Sequence, residues 1–159
     1  GSDNTISTLQ VCHRNMGSST LCKVPRPGDE ELTVPVRKSG ERFRQLGIGK
    51  TRLVKIDVEG FEPEVIRGAL RHWEGRTAPD VVIFEHRDER GFDPVERSSS
   101  VHMLRSLGYE IYCLPSRLFF PRLIPLARKS RRMRVSHDYV AIHRDARTPW
   151  TKGNRFLKD

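Results

Sequence analysis

The residues of this chain best placed to do chemistry are ionisable groups within or just after apolar runs. Lys55, Asp57 and Glu59 alternate along the segment LVKIDVEG, and Glu85 and His86 end the segment DVVIFEH. Carboxylates can orient a polar ligand, and an imidazole can take a proton from a hydroxyl near neutral pH. The three carboxylates could instead hold a hard divalent cation. We predict no metal site, because three carboxylates alone do not define one.

The elements that would carry these groups are a strand and a helix. A strand is predicted at residues 53–58, which are mainly apolar and β-branched, and a helix follows, with Pro63 in its first turn. Lys55, Asp57 and Glu59 then share one face of a strand that should be apolar if it is covered on both sides. They must be paired, line a crevice or lie past the strand's end. The structural alternative is a charge network that closes the turn onto the helix N-terminus.

A second buried strand is predicted at residues 80–86. A right-handed helical crossover would make it a parallel neighbour of the first strand. Ligands of open α/β sheets bind at the carboxyl ends of the strands. We therefore expect Asp57, Glu59, Glu85 and His86 to converge on one crevice at that edge.

Residues 54–69 (VKIDVEGFEPEVIRGA) and 79–86 (PDVVIFEH) closely resemble the FkbM family of S-adenosylmethionine-dependent methyltransferases. Weaker similarity is present at residues 15–21 (NMGSSTL) and 104–112 (LRSLGYEIY). Together these segments resemble the later part of the family domain.

The resemblance implies an α/β fold: a Rossmann-like methyltransferase half-domain with a mixed sheet, helices on both faces and an antiparallel C-terminal strand. The strands that start near residues 53, 81, 109 and 139 are expected in the spatial order first, second, fourth, third. Residues 139–143 are apolar on both faces, which favours the same interior position for the last strand.

The resemblance also implies transfer of a methyl group from S-adenosylmethionine to a hydroxyl, commonly on a sugar or a secondary metabolite. The candidate catalytic residues are then Asp57 and Glu59, which would orient the acceptor or the donor, and His86 as the base. The residues assigned to binding the small-molecule hydroxyl acceptor are Lys55, Glu85, Asn15, Ser18 and Ser19.

The sequence contains no glycine-rich loop after a first strand. In methyltransferases of this fold that loop holds most of the S-adenosylmethionine, and Gly47-Ile48-Gly49 cannot replace it because it precedes a strand. We therefore assign no cofactor-binding residues, and we expect this chain alone to bind S-adenosylmethionine weakly and to be inactive. Gly1-Ser2 is typical of a cloning remnant, so we expect native sequence to precede Asp3.

Composition indicates a single, heavily charged globular domain. The chain has 159 residues, of which 36% are hydrophobic and 31% are charged. No apolar run approaches the roughly 18 residues of a membrane-spanning helix, and no secretory signal is visible. Cys12, Cys22 and Cys113 are odd in number and lack metal-ligand spacing, which predicts reduced thiols and a cytoplasmic location.

Much of the net charge of +9 lies in one segment. Residues 117–134 contain seven basic residues and no acid, interleaved with leucine, isoleucine and phenylalanine. Such a segment could contact nucleic acid or an anionic membrane. The alternative function is therefore a non-catalytic binding module of the same fold. The structural explanation of the basic segment is an insertion whose charges are solvated. This explanation predicts poor order across residues 117–134.

Three regions are predicted: an N-terminal segment of loops and short strands (1–49), the Rossmann-like unit with its basic insertion (50–146), and a loose tail (147–159). The strand at residues 53–58 lacks the neighbour that would complete the sheet, which leaves unpaired backbone groups along its free edge. We expect either the N-terminal segment to lie along that edge or a homodimer to form across it.

Overall fold

The computed structural model describes residues 1–13, 19–21, 28, 30–86, 94–115, 123–129 and 135–146. The strands in this part of the chain are β1 (Thr5–Val11), β2 (Glu30–Val36), β3 (Leu53–Ile56), β4 (Val81–Glu85), β5 (Tyr109–Pro115), β6 (Ile124–Pro125) and β7 (Val135–His143). The α-helices are α1 (Ser39–Gln45), α2 (Glu62–Trp73) and α3 (Ser99–Ser106).

The central element is a five-stranded mixed sheet in the order β3-β4-β7-β5-β6. β3 and β4 are parallel, and β7 runs antiparallel to both β4 and β5. The predicted α/β class with its mixed sheet and the predicted order of the four strands are confirmed, whereas the described α-helices pack on one face of the sheet rather than on both. The additional strand, β6, pairs with the middle of β5.

The main core lies between this sheet and helices α2 and α3. Ile66, Ala69 and Trp73 of α2 and Leu104 of α3 are buried against one face of the sheet. Proline in the first turn of α2 and the Ser98 hydroxyl, which accepts the Val101 N–H at 3.3 Å, start the two helices. Because apolar residues recur at helical spacing, each helix buries one face.

The second face of the sheet carries a smaller core. Val81, Val140 and Ile142 project to this side, and Leu123 and Ala146 pack over them. Tyr139 and Ala141 of β7 belong to the main core instead. β7 therefore buries side chains on both faces, as its sequence pattern predicts for an interior strand.

The N-terminal region forms its own small unit. β1 and β2 make an antiparallel two-stranded sheet, and α1 packs on α2. A β-carbon on Gly40 of α1 would lie 2.8 Å from the Gly68 carbonyl oxygen of α2, so this close approach requires glycine. Among the described residues no N-terminal strand pairs with β3, so that alternative for the free edge is wrong, and the homodimer stays a prediction.

The predicted disorder of the basic segment does not hold for residues 123–129. Leu123 and Leu126 are buried, and the Lys129 Nζ donates to the Tyr139 hydroxyl at 3.0 Å and lies 3.9 Å from Glu96. Apolar residues between the charges bury this part of the segment. Residues 116–122 and 130–134 and the tail from residue 147 lie outside the described residues. None of the described helices has the length and apolar character needed to cross a membrane.

Candidate active site at the carboxyl edge of the sheet

The turn between β3 and α2 is the point from which the site is built. β3 ends at Ile56, so Asp57 and Glu59 lie past the strand's end. Glu59 has a φ of 52° and Gly60 a φ of 97°, which places two successive residues in the left-handed region. Glycine adopts this conformation freely, whereas for Glu59 it costs roughly 1 kcal/mol. Backbone strain of this kind is concentrated at functional sites.

A buried carboxylate closes this turn. Glu62 has only 4% of its surface exposed and accepts the Val58 N–H at 3.0 Å. Burial raises the pKa of the Glu62 carboxyl, and hydrogen bonds from the amides of Val58, Glu62 and Gly60 oppose that rise. Glu62 therefore ties this turn to the helix N-terminus, whereas the structural alternative from the sequence was a charge network of Lys55, Asp57 and Glu59.

Three other carboxylates meet at the rim of the sheet. Asp57, Glu59 and Glu85 each place an oxygen within 4.8 Å of the others. We call these three residues the carboxylate cluster. Asp57 is exposed, and Glu59 and Glu85 are half-buried, so the cluster is open to a ligand from solvent. The spacing suits a shared divalent cation, but exposed acids often come together without one, and the predicted absence of a metal site stays a prediction.

Lys55 partly balances the cluster. Its Nζ donates to Asp57 Oδ2 at 2.8 Å, and this hydrogen bond raises the pKa of Lys55. The charges of Asp138 and Glu85 act in the same direction, so Lys55 lies among several acids. The side chains of Lys55 and Asp57 are about half exposed, at 55% and 48%. This ion pair is therefore well solvated, and among the described residues it supplies one cation to the three acids of the cluster.

His86 does not join the carboxylate cluster. Successive residues along a strand point to opposite faces, and Glu85 shares its face with Val81 and Ile83. The His86 ring instead meets the Tyr139 ring edge-on at 6.4 Å between centroids, on the side of the main core. The predicted convergence therefore holds for the three carboxylates and not for the His86 ring.

Two residues near the cluster are missed by the sequence analysis. Asp138 pairs with Glu85 across β4 and β7, and the neighbouring His137 carbonyl accepts the His86 N–H at 2.8 Å. The signal for Asp138 was present, because an antiparallel last strand brings its first residues to the carboxyl end of β4. The strand was predicted from residue 139, too late to include it.

The second missed residue is Thr20. Its hydroxyl donates to the Glu59 carbonyl oxygen at 2.7 Å, across 39 positions of sequence. The adjacent Ser19 hydroxyl accepts the Cys12 N–H at 3.3 Å, so its described contact is within the N-terminal region. Asn15 and Ser18, also predicted to bind the acceptor, lie outside the described residues.

Comparison with known proteins agrees with this arrangement. The family model described as the methyltransferase FkbM domain matches residues 8–111, which include the later part of β1, β2 to β4, α1 to α3 and the whole carboxylate cluster. The chain belongs to the FkbM methyltransferase family. Neither the curated proteins nor the solved structures contain a significant match.

FkbM methyltransferases generally use S-adenosylmethionine, so the β3–α2 turn can be tested as its main binding loop. Helix N-termini bind anionic groups through unpaired backbone amides. In this FkbM domain the Glu62 carboxylate already occupies the amides of that turn. The turn therefore does not fit as the main cofactor loop.

One groove of the described surface lies away from the carboxylate cluster. It has a volume of about 480 Å³, and none of its lining residues belongs to the cluster. These lining residues are Asn4, Arg37, Lys38, Glu41, Arg42 and Gln45.

Proposed function

We propose that this FkbM domain is an S-adenosylmethionine-dependent O-methyltransferase that acts on a hydroxyl of a sugar or a secondary metabolite. The observation that carries the proposal is the carboxylate cluster, three acids within 4.8 Å of one another at the carboxyl edge of the sheet. Parallel strands of α/β enzymes present their ligands at this edge. Family membership supports the reaction class.

The cluster suits a polyhydroxylated acceptor. Ionised carboxylates only accept hydrogen bonds, and each has two oxygens with several lone pairs. Hydroxyl groups of a sugar can therefore donate to Asp57, Glu59 and Glu85 together, which fixes the orientation of the reacting oxygen. Positioning and proton removal are the contributions that these residues can make to the rate.

The identity of the base follows from the same geometry. A carboxylate of the cluster that holds the acceptor hydroxyl is within reach of its proton, and we assign the base to the cluster first. His86 follows Glu85 directly, but its ring lies beside Tyr139 on the other face. His86 is therefore the second candidate base.

S-adenosylmethionine is part of this proposal because FkbM methyltransferases generally use it. Because Glu62 closes the β3–α2 turn, we propose that the residues that bind most of S-adenosylmethionine are not among those described here. The thiols of Cys12 and Cys113 are compatible with a reducing, cytoplasmic compartment, which we also propose.

The alternative function, a binding module for nucleic acid or anionic membrane, has less support. Within residues 123–129 the Lys129 side chain is only 13% exposed and is held by Tyr139 and Glu96. A cation engaged in this way contributes little to an electrostatic surface. We keep this function as the outcome that would follow if methyl transfer is absent.

The test is methyl transfer by the full-length protein from labelled S-adenosylmethionine to panels of hydroxylated sugars and secondary metabolites. Asp57→Asn should lower the rate by about 100-fold, in the range expected for loss of a group that positions the acceptor or takes its proton. The matched control is Glu74→Gln, an exposed acid at the C-terminus of α2, which should leave the rate unchanged. Full activity of Asp57→Asn would contradict the proposed site, and His86→Gln separates the two candidate bases.

A further inference from the structure

We infer that Thr20 is a positioning residue that holds the Glu59 backbone so that its carboxylate joins Asp57 and Glu85. This inference rests on the proposed function of the carboxylate cluster. It concerns a contact between two regions that are remote in sequence, the N-terminal hairpin and the turn after β3.

The first step is the conformation of Glu59. It is the non-glycine residue with a positive φ, 52°, in the described part of the chain. A glutamate reverts readily to the negative-φ regions unless its surroundings define the backbone. Because Asp57 directly follows β3 and Glu85 ends β4, a change of φ at Glu59 would swing its carboxylate away from them.

The second step is the contact that opposes this reversion. The Thr20 hydroxyl donates to the Glu59 carbonyl oxygen at 2.7 Å, the usual separation for a well-formed O–H···O hydrogen bond. Glu62, on the other side of the turn, binds the Val58 amide. Hydrogen bonds therefore hold the turn on both sides of Glu59. The Val58 amide donates to Glu62, and the Thr20 hydroxyl donates to the Glu59 carbonyl oxygen.

The third step is the rigidity of the donor. Thr20 and Gln10 exchange two backbone hydrogen bonds, of 2.9 and 3.0 Å, which fasten Thr20 to β1. Gln10 is 5% exposed, and β1 is paired with β2 along its length. The Thr20 hydroxyl is thus presented by a residue that is fastened to the paired strand β1, which links β1 to the turn that carries Glu59.

The test compares Thr20→Val, which removes the hydroxyl at constant shape, with Thr20→Ser, which keeps it. Loss of one well-placed hydrogen bond predicts a fall of about tenfold in kcat/KM for the acceptor in Thr20→Val, with KM for S-adenosylmethionine unchanged. Thr20→Ser should restore kcat/KM to near the wild-type value. Thr33→Val is the matched control, because it removes an exposed hydroxyl from the same hairpin.

A second readout does not depend on catalysis. At positive φ the amide and α protons of a residue lie close together, so Glu59 should give a strong intraresidue nuclear Overhauser effect in the wild-type protein and in Thr20→Ser. The effect should weaken in Thr20→Val. An unchanged effect in Thr20→Val overturns the inference. If Thr20→Val does not fold, the wild-type protein still provides a test. A weak intraresidue nuclear Overhauser effect at Glu59 in that protein overturns the inference.

The two readouts separate this inference from the proposed function. Full methyl transfer by Glu59→Gln would show that the carboxylate is not used, which contradicts the proposed site. The Glu59 backbone signal in Thr20→Val would still decide whether Thr20 holds that residue.

Discussion

The two ends of the β3–β4 pair use acidic residues in opposite ways. At the amino end, Asp80 is buried and its carboxylate oxygens lie 2.9 Å from Lys50 Nζ and 3.4 Å from Arg52 Nε. At the carboxyl end, three acids come together and Lys55 is the cation that pairs with them among the described residues. Among the described residues, the amino end therefore has two cations for one acid, and the carboxyl end has three acids and one cation.

This difference separates stability from function. An acid held between two cations lowers the free energy of the folded state. Like charges brought within a few ångströms raise the free energy of the folded state. Such an arrangement is typical of sites where the charges bind a ligand or take part in a reaction. The comparison supports the proposed site at the carboxyl rim and a structural role for the acid at the amino end.

The largest expected effect on stability is at the amino end. Asp80→Asn should lower the free energy of unfolding by about 1–2 kcal/mol, because a buried charged acceptor is lost while its exposed partners, Lys50 and Arg52, remain partly screened by solvent. The measurement is urea unfolding followed by circular dichroism.

Asp57→Asn is the matched variant at the other end. It should change the free energy of unfolding by less than about 0.5 kcal/mol, because it removes both a solvated ion pair and a like-charge repulsion. A destabilisation by Asp57→Asn as large as that by Asp80→Asn would break the comparison, since the carboxyl rim would then be structural as well.

The sequence was sufficient to locate those strands and helices whose pattern lies within a single segment. The apolar run at residues 53–58 and the Pro63 helix signal located β3 and α2, and the two-faced apolar pattern of β7 agreed with its interior position. Convergence of Asp57, Glu59 and Glu85 followed from the rule that parallel strands end at one edge.

The parts that the sequence did not predict depend on side-chain direction and on remote contacts. Glu85 and His86 are adjacent, so they point to opposite faces, and a prediction by location alone placed them together. The burial of Glu62 under the turn depends on tertiary packing, which no local pattern indicates. The Thr20 contact with Glu59 joins segments with no shared pattern.

A smaller, pH-dependent effect distinguishes the two acids in the first turn of α2. Burial raises the pKa of Glu62 above its ordinary value of 4.5, so its stabilising contribution is fully present below pH 4.5 and is lost as pH rises through the raised value. The Arg67 hydrogen bond lowers the pKa of Glu64 below 4.5, so its contribution is present above pH 4.5 and is lost as pH falls.

Glu62→Gln and Glu64→Gln should therefore change the pH dependence of stability with opposite signs. Relative to the wild-type protein, Glu62→Gln should gain stability between pH 4.5 and pH 7, and Glu64→Gln should lose it as pH rises from acid towards pH 4.5. Urea midpoints at several pH values measure both. Parallel profiles for the two variants would show that Glu62 is not a buried carboxylate in solution.

The smallest effect is expected on self-association through the edge of β3. In the described part of the chain β3 has β4 as its one strand neighbour. We propose that a second copy pairs with it. Antiparallel pairing about a two-fold axis through Ile56 would place Lys55 opposite Asp57 of the second copy, and opposite charges across strands are favourable.

Leu53 begins this edge and is 53% exposed, which suits an interface and is unusual at the end of a sheet. Leu53→Glu should weaken the concentration-dependent self-association that sedimentation measures, because it places a charge at each end of the strand pair. Leu46→Glu is the matched control, since Leu46 is 55% exposed but lies after α1, away from the sheet edge. A monomer at every concentration, with rapid amide exchange at Leu53 and Lys55, whose N–H groups point away from β4, would leave the β3 edge open to solvent and contradict the pairing. Pairing at this edge would leave Glu59 and Glu85 open to solvent, because strands join in the plane of the sheet and these carboxylates lie at its rim.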